Sequence, residues 1–198
     1  MPKYEAQDRY FKKAKEEGYR ARSAFKLQAI DEKFHLLKSG MRVLDLGAAP
    51  GSFLQYIAGK IGKKGLAVGI DLQKIEDLGL ENVITYQGDI FDNELYKKIV
   101  HENGLDKFDL VTSDLAPKTT GISFVDGGAS LDLNLQVLEV AKEWLKKGGA
   151  AVMKILPGFN EGELLGPLRK NFVQVKKLRP EAVRKSSGEN YIICLKKR

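Results

Sequence analysis

Short apolar runs alternate along this chain with longer segments whose apolar residues recur every three or four positions. Val43, Leu44 and Leu46 form one such run. Gly47-Ala48-Ala49-Pro50-Gly51 follows, then a helical pattern through Phe53, Leu54, Tyr56 and Ile57. Apolar runs closed by turn residues read as buried strands, and the longer spacing reads as helix. Further strands are expected over 66–71, 82–87, 108–113, 150–155, 172–178 and 191–195. Helices are expected over 94–102, 131–147 and 163–170, the second closed by Gly148-Gly149. Phe25, Leu27, Ile30 and Phe34 place another helix over 23–34, preceded by a polar helix that Gly18 breaks. Strands alternating with helices call for an α/β fold, a mainly parallel sheet with helices on both faces. The last two strands have no helix between them and are expected to pair antiparallel.

The turn after the first strand carries the first chemical signal. Ser52 is suited to cap the helix behind it. Ligands of open α/β sheets sit at the carboxyl ends of strands, in such turns. A dinucleotide turn needs G-x-G-x-x-G, which Gly47-Ala48-Ala49 breaks, and no Lys-Ser or Lys-Thr pair completes a phosphate loop. A nicotinamide dehydrogenase therefore fits poorly. The acid before the turn, Asp45, suits a ligand with a cationic end. Asp71, Asp89 and Asp114 close three successive strands, so they are expected on one edge, lining one crevice. Asp71 stands about 20 residues beyond the turn, where a carboxylate accepts ribose hydroxyls. Asp89 is placed to accept from an adenine amino group.

Lys154 interrupts the apolar run Ala150, Ala151, Val152, Met153, Ile155 and Leu156. A lysine is rarely fully buried without a partner. Burial, or a second cation such as Lys26, lowers a lysine pKa and makes the amine a proton acceptor. A lysine reaching solvent from the strand end is the plainer reading.

Length and charge add to this picture. The chain has 198 residues and 43% hydrophobic content, enough for one domain. Residues 1–38 form a basic helical extension and 39–198 the core. The net charge of +7 and pI near 9.3 point to a polyanion. No long apolar run suggests a membrane. Lys3, Arg9, Lys12, Lys13, Lys15, Arg20 and Arg22 are interleaved with Tyr4, Tyr10, Phe11 and Tyr19. Such a segment neutralises phosphates and stacks on bases, or is a solvated helix with aromatics packed on the domain. Arg169, Lys170, Lys176, Lys177, Arg179, Arg184, Lys185, Lys196, Lys197 and Arg198 extend the basic surface. The loop 118–124 covers an incoming ribose or is a connector. One cysteine, Cys194, and no apolar signal core at the N-terminus fit a cytoplasmic, monomeric protein. His35 and His101 lack metal-ligand spacing, so no metal is expected.

Four blocks in order then carry a resemblance: Tyr19-Arg20-Ala21-Arg22-Ser23-Ala24-Phe25-Lys26-Leu27, Asp45 through Phe53, Thr112-Ser113-Asp114-Leu115-Ala116-Pro117, and Val152-Met153-Lys154. Together they resemble the RrmJ/FtsJ family of RNA ribose 2′-O-methyltransferases. The resemblance implies the class I S-adenosylmethionine (SAM) methyltransferase fold of seven strands with a reversed last hairpin. It implies a catalytic set of Lys26, Asp114, Lys154 and Glu189, the last within Gly188-Glu189-Asn190-Tyr191. It implies SAM contacts at Gly51, Phe53, Asp71, Asp89 and Asp114. One departure is Ser52, where many members carry a second glycine. The activity implied is methyl transfer from SAM to RNA, a uridine of large-subunit ribosomal RNA, with tRNA anticodon loops as the alternative target. A non-catalytic RNA-binding module on the same fold is the alternative of another class.

Overall fold

The computed structural model describes residues 9–118, 120–184 and 187–198. Lys3, Tyr4 and Lys185, named above, and residue 119 of the loop 118–124 lie outside the described residues. The elements are α1 (Arg9–Glu16), α2 (Ala24–Phe34), β1 (Arg42–Leu46), α3 (Ser52–Ile61), β2 (Leu66–Asp71), β3 (Val83–Gln87), α4 (Asn93–Glu102), β4 (Phe108–Ser113), α5 (Ser123–Trp144), β5 (Leu145–Ile155), α6 (Glu161–Asn171), β6 (Phe172–Leu178) and β7 (Asn190–Lys197). Seven strands form one sheet in the order β3-β2-β1-β4-β5-β7-β6. All pairs among β1 to β5 are parallel. β7 pairs antiparallel with both β5 and β6, as the missing helix between the last two strands requires.

The period of two in β1 divides the core. Leu44 and Leu46 face one apolar layer, packed with Val137, Leu138 and Val140 of α5 and with Ile99 of α4. Val43 faces the other, with Leu27 and Ile30 of α2 and Leu54 and Ile57 of α3. Helices therefore cover both faces. Tyr10 and Tyr19 pack on Phe25 with ring centroids 5.7 and 5.5 Å away. Two aromatics of the basic segment are thus fixed to the domain, while Phe11 is 45% exposed.

Two boundaries differ from the expectation. α5 begins at Ser123 and ends at Trp144, and Gly148-Gly149 lie inside β5 rather than closing a helix. Leu145 is fully buried and pairs with Phe108, so the strand starts there. The register then shifts before Leu110 pairs with Ala150, and the glycines sit in that irregularity. Tertiary pairing overrides the local breaker signal.

Candidate active site

The carboxyl ends of β1, β2 and β4 open on one edge of the sheet. The N–H groups of Gly47 and Ala48 both donate to the Ile70 carbonyl, at 2.9 and 3.1 Å, hooking the turn onto β2. Gly47 has φ +72°, and a Cβ there would meet the Leu115 side chain at 2.7 Å. The residue after Asp114 therefore packs directly on the turn. Gly51 has φ +106°, and Leu78 fills the space where its Cβ would stand. Backbone shape and crowding both demand glycine at these two positions.

Asp71 fastens the turn from β2. One carboxylate oxygen accepts from Ala49 N–H at 2.9 Å and the other from Gln73 N–H at 2.8 Å. Each oxygen keeps a lone pair for a ligand hydroxyl. Asp89 is exposed, with one oxygen accepting from Phe91 N–H at 3.0 Å. Phe53 is buried among the α2–α3 apolar residues, so its ring supports the turn from beneath. Ser52 does not cap α3. Gly51 holds the cap position, and the Ser52 hydroxyl instead meets the Ser23 hydroxyl at 2.6 Å. The first N–H groups of α3 thus lack a side-chain cap, a setting suited to an anionic ligand group.

Asp45 differs from the sequence reading. It is 1% exposed, with Oδ1 accepting from the Thr112 hydroxyl at 2.7 Å and Oδ2 without a partner. Burial above all pushes its carboxyl well above the usual range, and the charges of Asp114 and Asp71 add to this. Burial thus disfavours its charge beneath the crevice, and Asp114 and Asp71, both half-buried, are the acids left at the crevice surface.

The second half of the site is built from side chains. Lys154 Nζ donates to the Asp114 carbonyl at 2.5 Å and stands 3.1 Å from its Oδ1. The Tyr191 hydroxyl donates to the same Oδ1 at 2.5 Å. Lys26 pairs with Glu189 at 2.7 Å and lies 6.0 Å from the Tyr191 ring centre. Lys26, Lys154 and Glu189 are 7, 7 and 8% exposed, so all three groups are nearly withdrawn from water. Buried ions persist only when paired and hydrogen-bonded. The four residues of the expected catalytic set therefore converge, as two lysine–acid pairs joined through Tyr191.

Local structure explains the convergence. Lys154 and Tyr191 are direct partners in the β5–β7 ladder. Glu189 lies just before β7, two residues from Tyr191, and Lys26 meets both its carboxylate and the Tyr191 ring. α2 carries Lys26 there, beside Leu27 in the core. Asn134 of α5 donates to the Lys154 carbonyl at 2.9 Å, pinning the strand end. Burial first, and then the negative charge of Asp114, raise the Tyr191 phenol well above its ordinary value, so it remains a donor. Sequence reasoning did not single out Tyr191 as a site residue. Its two-residue offset from Glu189 was the available signal.

The basic residues divide. α1 packs beside Ala182 through Phe25, and Arg9 and Lys13 stand by Leu178, Arg179 and Glu181, while Lys12 and Lys15 lie with Phe11 on another face of the helix. Lys196, Lys197 and Arg198 fall at the opposite end of the ladder, where Phe172 pairs with Lys197. Lys197 donates to the Lys142 and Leu145 carbonyls, each at 2.6 Å, and Lys177 pairs with Glu161. The C-terminal basic residues therefore do not form one surface. Among the described residues no helix is long and apolar enough to cross a membrane.

Comparison with known proteins agrees with this geometry. A ribosomal RNA large subunit methyltransferase E from Syntrophobacter fumaroxidans is 43% identical over 98% of both chains. One from Bdellovibrio bacteriovorus is 42% identical, covering 98% of this chain and 99% of that one. A crystal structure of a ribosomal RNA methyltransferase from Plasmodium falciparum superposes with a TM-score of 0.81 at 28% identity, covering 90% of this chain and 98% of that one. Aeropyrum pernix fibrillarin with bound S-adenosyl-L-methionine shares the fold, with a TM-score of 0.60 at 17% identity, over 87% of this chain and 76% of that one. Residues 19–197 match the FtsJ-like methyltransferase family, and the chain belongs to that family.

Proposed function

We propose that this protein transfers a methyl group from S-adenosyl-L-methionine to a ribose 2′-hydroxyl of RNA, a uridine of large-subunit ribosomal RNA. The observation that carries this reading is the Lys154–Asp114 pair, nearly dry, beside a glycine turn that Leu115 touches. The relatives' names supply the RNA class.

The crevice fits the cofactor chemically. Asp71 has lone pairs for two ribose hydroxyls, Asp89 has an oxygen for an adenine amino group, and Gly51 and Phe53 hold the turn between them. Asp114 offers negative charge to the cationic end. S-adenosyl-L-methionine supplies a methyl group on a positively charged sulfur, an electrophile that needs no metal.

The protein's own task is to align a hydroxyl and remove one proton. Lys154, in its amine form, would take the proton from the 2′-oxygen as that oxygen bonds to the methyl carbon and the carbon–sulfur bond breaks, the bonding pair leaving on sulfur as a neutral thioether. Asp114 holds the Lys154 nitrogen through its carbonyl and its carboxylate, and then stabilises the ammonium formed. Tyr191 keeps the Asp114 carboxylate turned toward Lys154. Glu189 orients Lys26, whose charge steers the RNA backbone into the cradle. Arg9, Lys13 and Arg22, with the segment 179–184, supply phosphate contacts. The buried Cys194 thiol, pushed up to about 12, is inert and suits a reducing cytoplasm.

The experiment is methyl transfer to a large-subunit rRNA transcript, to the assembled subunit and to tRNA, with Lys154→Ala alongside. Wild-type protein is expected to label a uridine 2′-oxygen of ribosomal RNA. Lys154→Ala is expected to lose about 10²–10⁴-fold in turnover while binding S-adenosyl-L-methionine normally. Labelling of tRNA alone would reassign the substrate, and full turnover by Lys154→Ala would remove Lys154 as acceptor.

A further inference from the structure

Arg20 belongs by sequence to the basic segment and counts there as a phosphate contact. Its surroundings indicate another task. Arg20 Nη1 donates to the Pro50 carbonyl at 3.1 Å and the Glu76 carbonyl at 2.6 Å, and Nη2 donates to the Asp77 carbonyl at 2.5 Å. Its backbone N–H donates to Gln55 Oε1 at 2.8 Å, and Gln55 Nε2 returns a bond to the Gly18 carbonyl at 2.9 Å. Ser23 and Ser52 meet three residues further on.

These bonds join three pieces of chain. Pro50 lies in the glycine turn. Glu76 and Asp77 lie in the irregular segment after β2, which begins beside Asp71 and carries Leu78 onto Gly51. Arg20 itself lies four residues before the start of α2, the helix that carries Lys26. A planar guanidinium presents donors in a fixed fork, so it can hold carbonyls of two separate segments at once. Although the side chain lies at the surface, three of its N–H donors are already committed to these carbonyls.

We propose that Arg20 is a positioning residue, a bracket that fixes the cofactor turn against the post-β2 segment and sets the Lys26 helix against both. The inference deepens the methyl-transfer reading and rests on it for the ligand. Arg20 touches none of the reacting atoms. Its effect is on the width of the crevice between the turn and Asp71.

The test measures S-adenosyl-L-methionine binding by calorimetry without RNA, and the KM for cofactor and for RNA across 50–200 mM salt, in Arg20→Ala and Arg20→Lys. Arg20→Ala is expected to weaken cofactor binding about tenfold, the loss typical of charged hydrogen bonds to a site. Its RNA KM and salt slope should stay at wild-type values. Arg20→Lys keeps the charge and loses the fork, so it should not restore cofactor binding. Unchanged cofactor affinity in both variants would overturn the proposal. So would a raised RNA KM with a salt slope reduced by about one that Arg20→Lys repairs. Thermal unfolding of Arg20→Lys guards against reading a folding defect as a binding one. Calorimetry needs no turnover, so failure of the RNA reading would leave the Arg20 result intact.

Discussion

The two halves of the crevice are built from different materials. On the β1–β2 side, main-chain shape does the work. Two glycines, the Ala49 N–H and one half-exposed carboxylate form the wall. On the β4–β7 side, long charged side chains are pressed out of water and locked in pairs. A wall of backbone binds by fit and tolerates solvent. A buried pair of ions makes its members interdependent, since removing one strands the other. On the proposed reading, altering the turn side is therefore expected to cost cofactor affinity, and altering the paired side to cost turnover and stability together.

The sharpest way to break that contrast is Lys26→Ala. It leaves the Glu189 carboxylate nearly buried without its partner, and the expected cost is about 3–5 kcal/mol of stability, read as a fall in the denaturant midpoint. The double variant Lys26→Met with Glu189→Gln should recover most of it. A loss no larger than that of a surface pair would mean that the two halves do not differ in kind.

Asp71→Asn should act on the other half. Cofactor binding is expected to weaken about 10–100-fold through loss of charged hydrogen bonds, with turnover at saturating cofactor and the unfolding midpoint little changed. A large fall in stability would show that Asp71 is a structural fastener first.

The smallest effect is expected at Asp45. Burial raises its carboxyl, so the native protein keeps a proton that the unfolded chain releases near the usual 3.8. Above that pH the unfolded chain gains from ionisation, and native stability declines as pH rises toward the raised value. Asp45→Asn cannot ionise. It should match the parent at the acid end and exceed it at neutral pH, by about 2–4 °C in Tm for each kcal/mol relieved. Equal midpoints at every pH would show that Asp45 is not held neutral.

Much of this was legible in the sequence, for reasons that differ between the halves. The turn and Asp71 are near in the chain and separated by one helix, so spacing alone placed them together. Lys154 stood out because a cation broke an apolar run. The partners of the lysines were not legible from spacing. Lys26 and Glu189 come from opposite ends of the chain, and only the family resemblance linked them before the sheet order did. The carbonyl partners of Arg20 were not legible, because a basic residue among basic residues gives no sign that carbonyls will surround it. Asp45 was misread for a similar reason, since an acid's exposure depends on what folds over it. The α5 boundary failed where Leu145 pairs in the sheet despite a following glycine pair.

β7 is the final strand in chain order, yet it slots between β5 and β6. A polypeptide emerging from the ribosome therefore carries a finished cofactor turn well before it owns Glu189 or Tyr191. Until that last insertion Lys26 has no counter-ion and Asp114 no phenol. The Lys26–Glu189 pair and the Tyr191–Asp114 bond therefore close only once β7 has inserted.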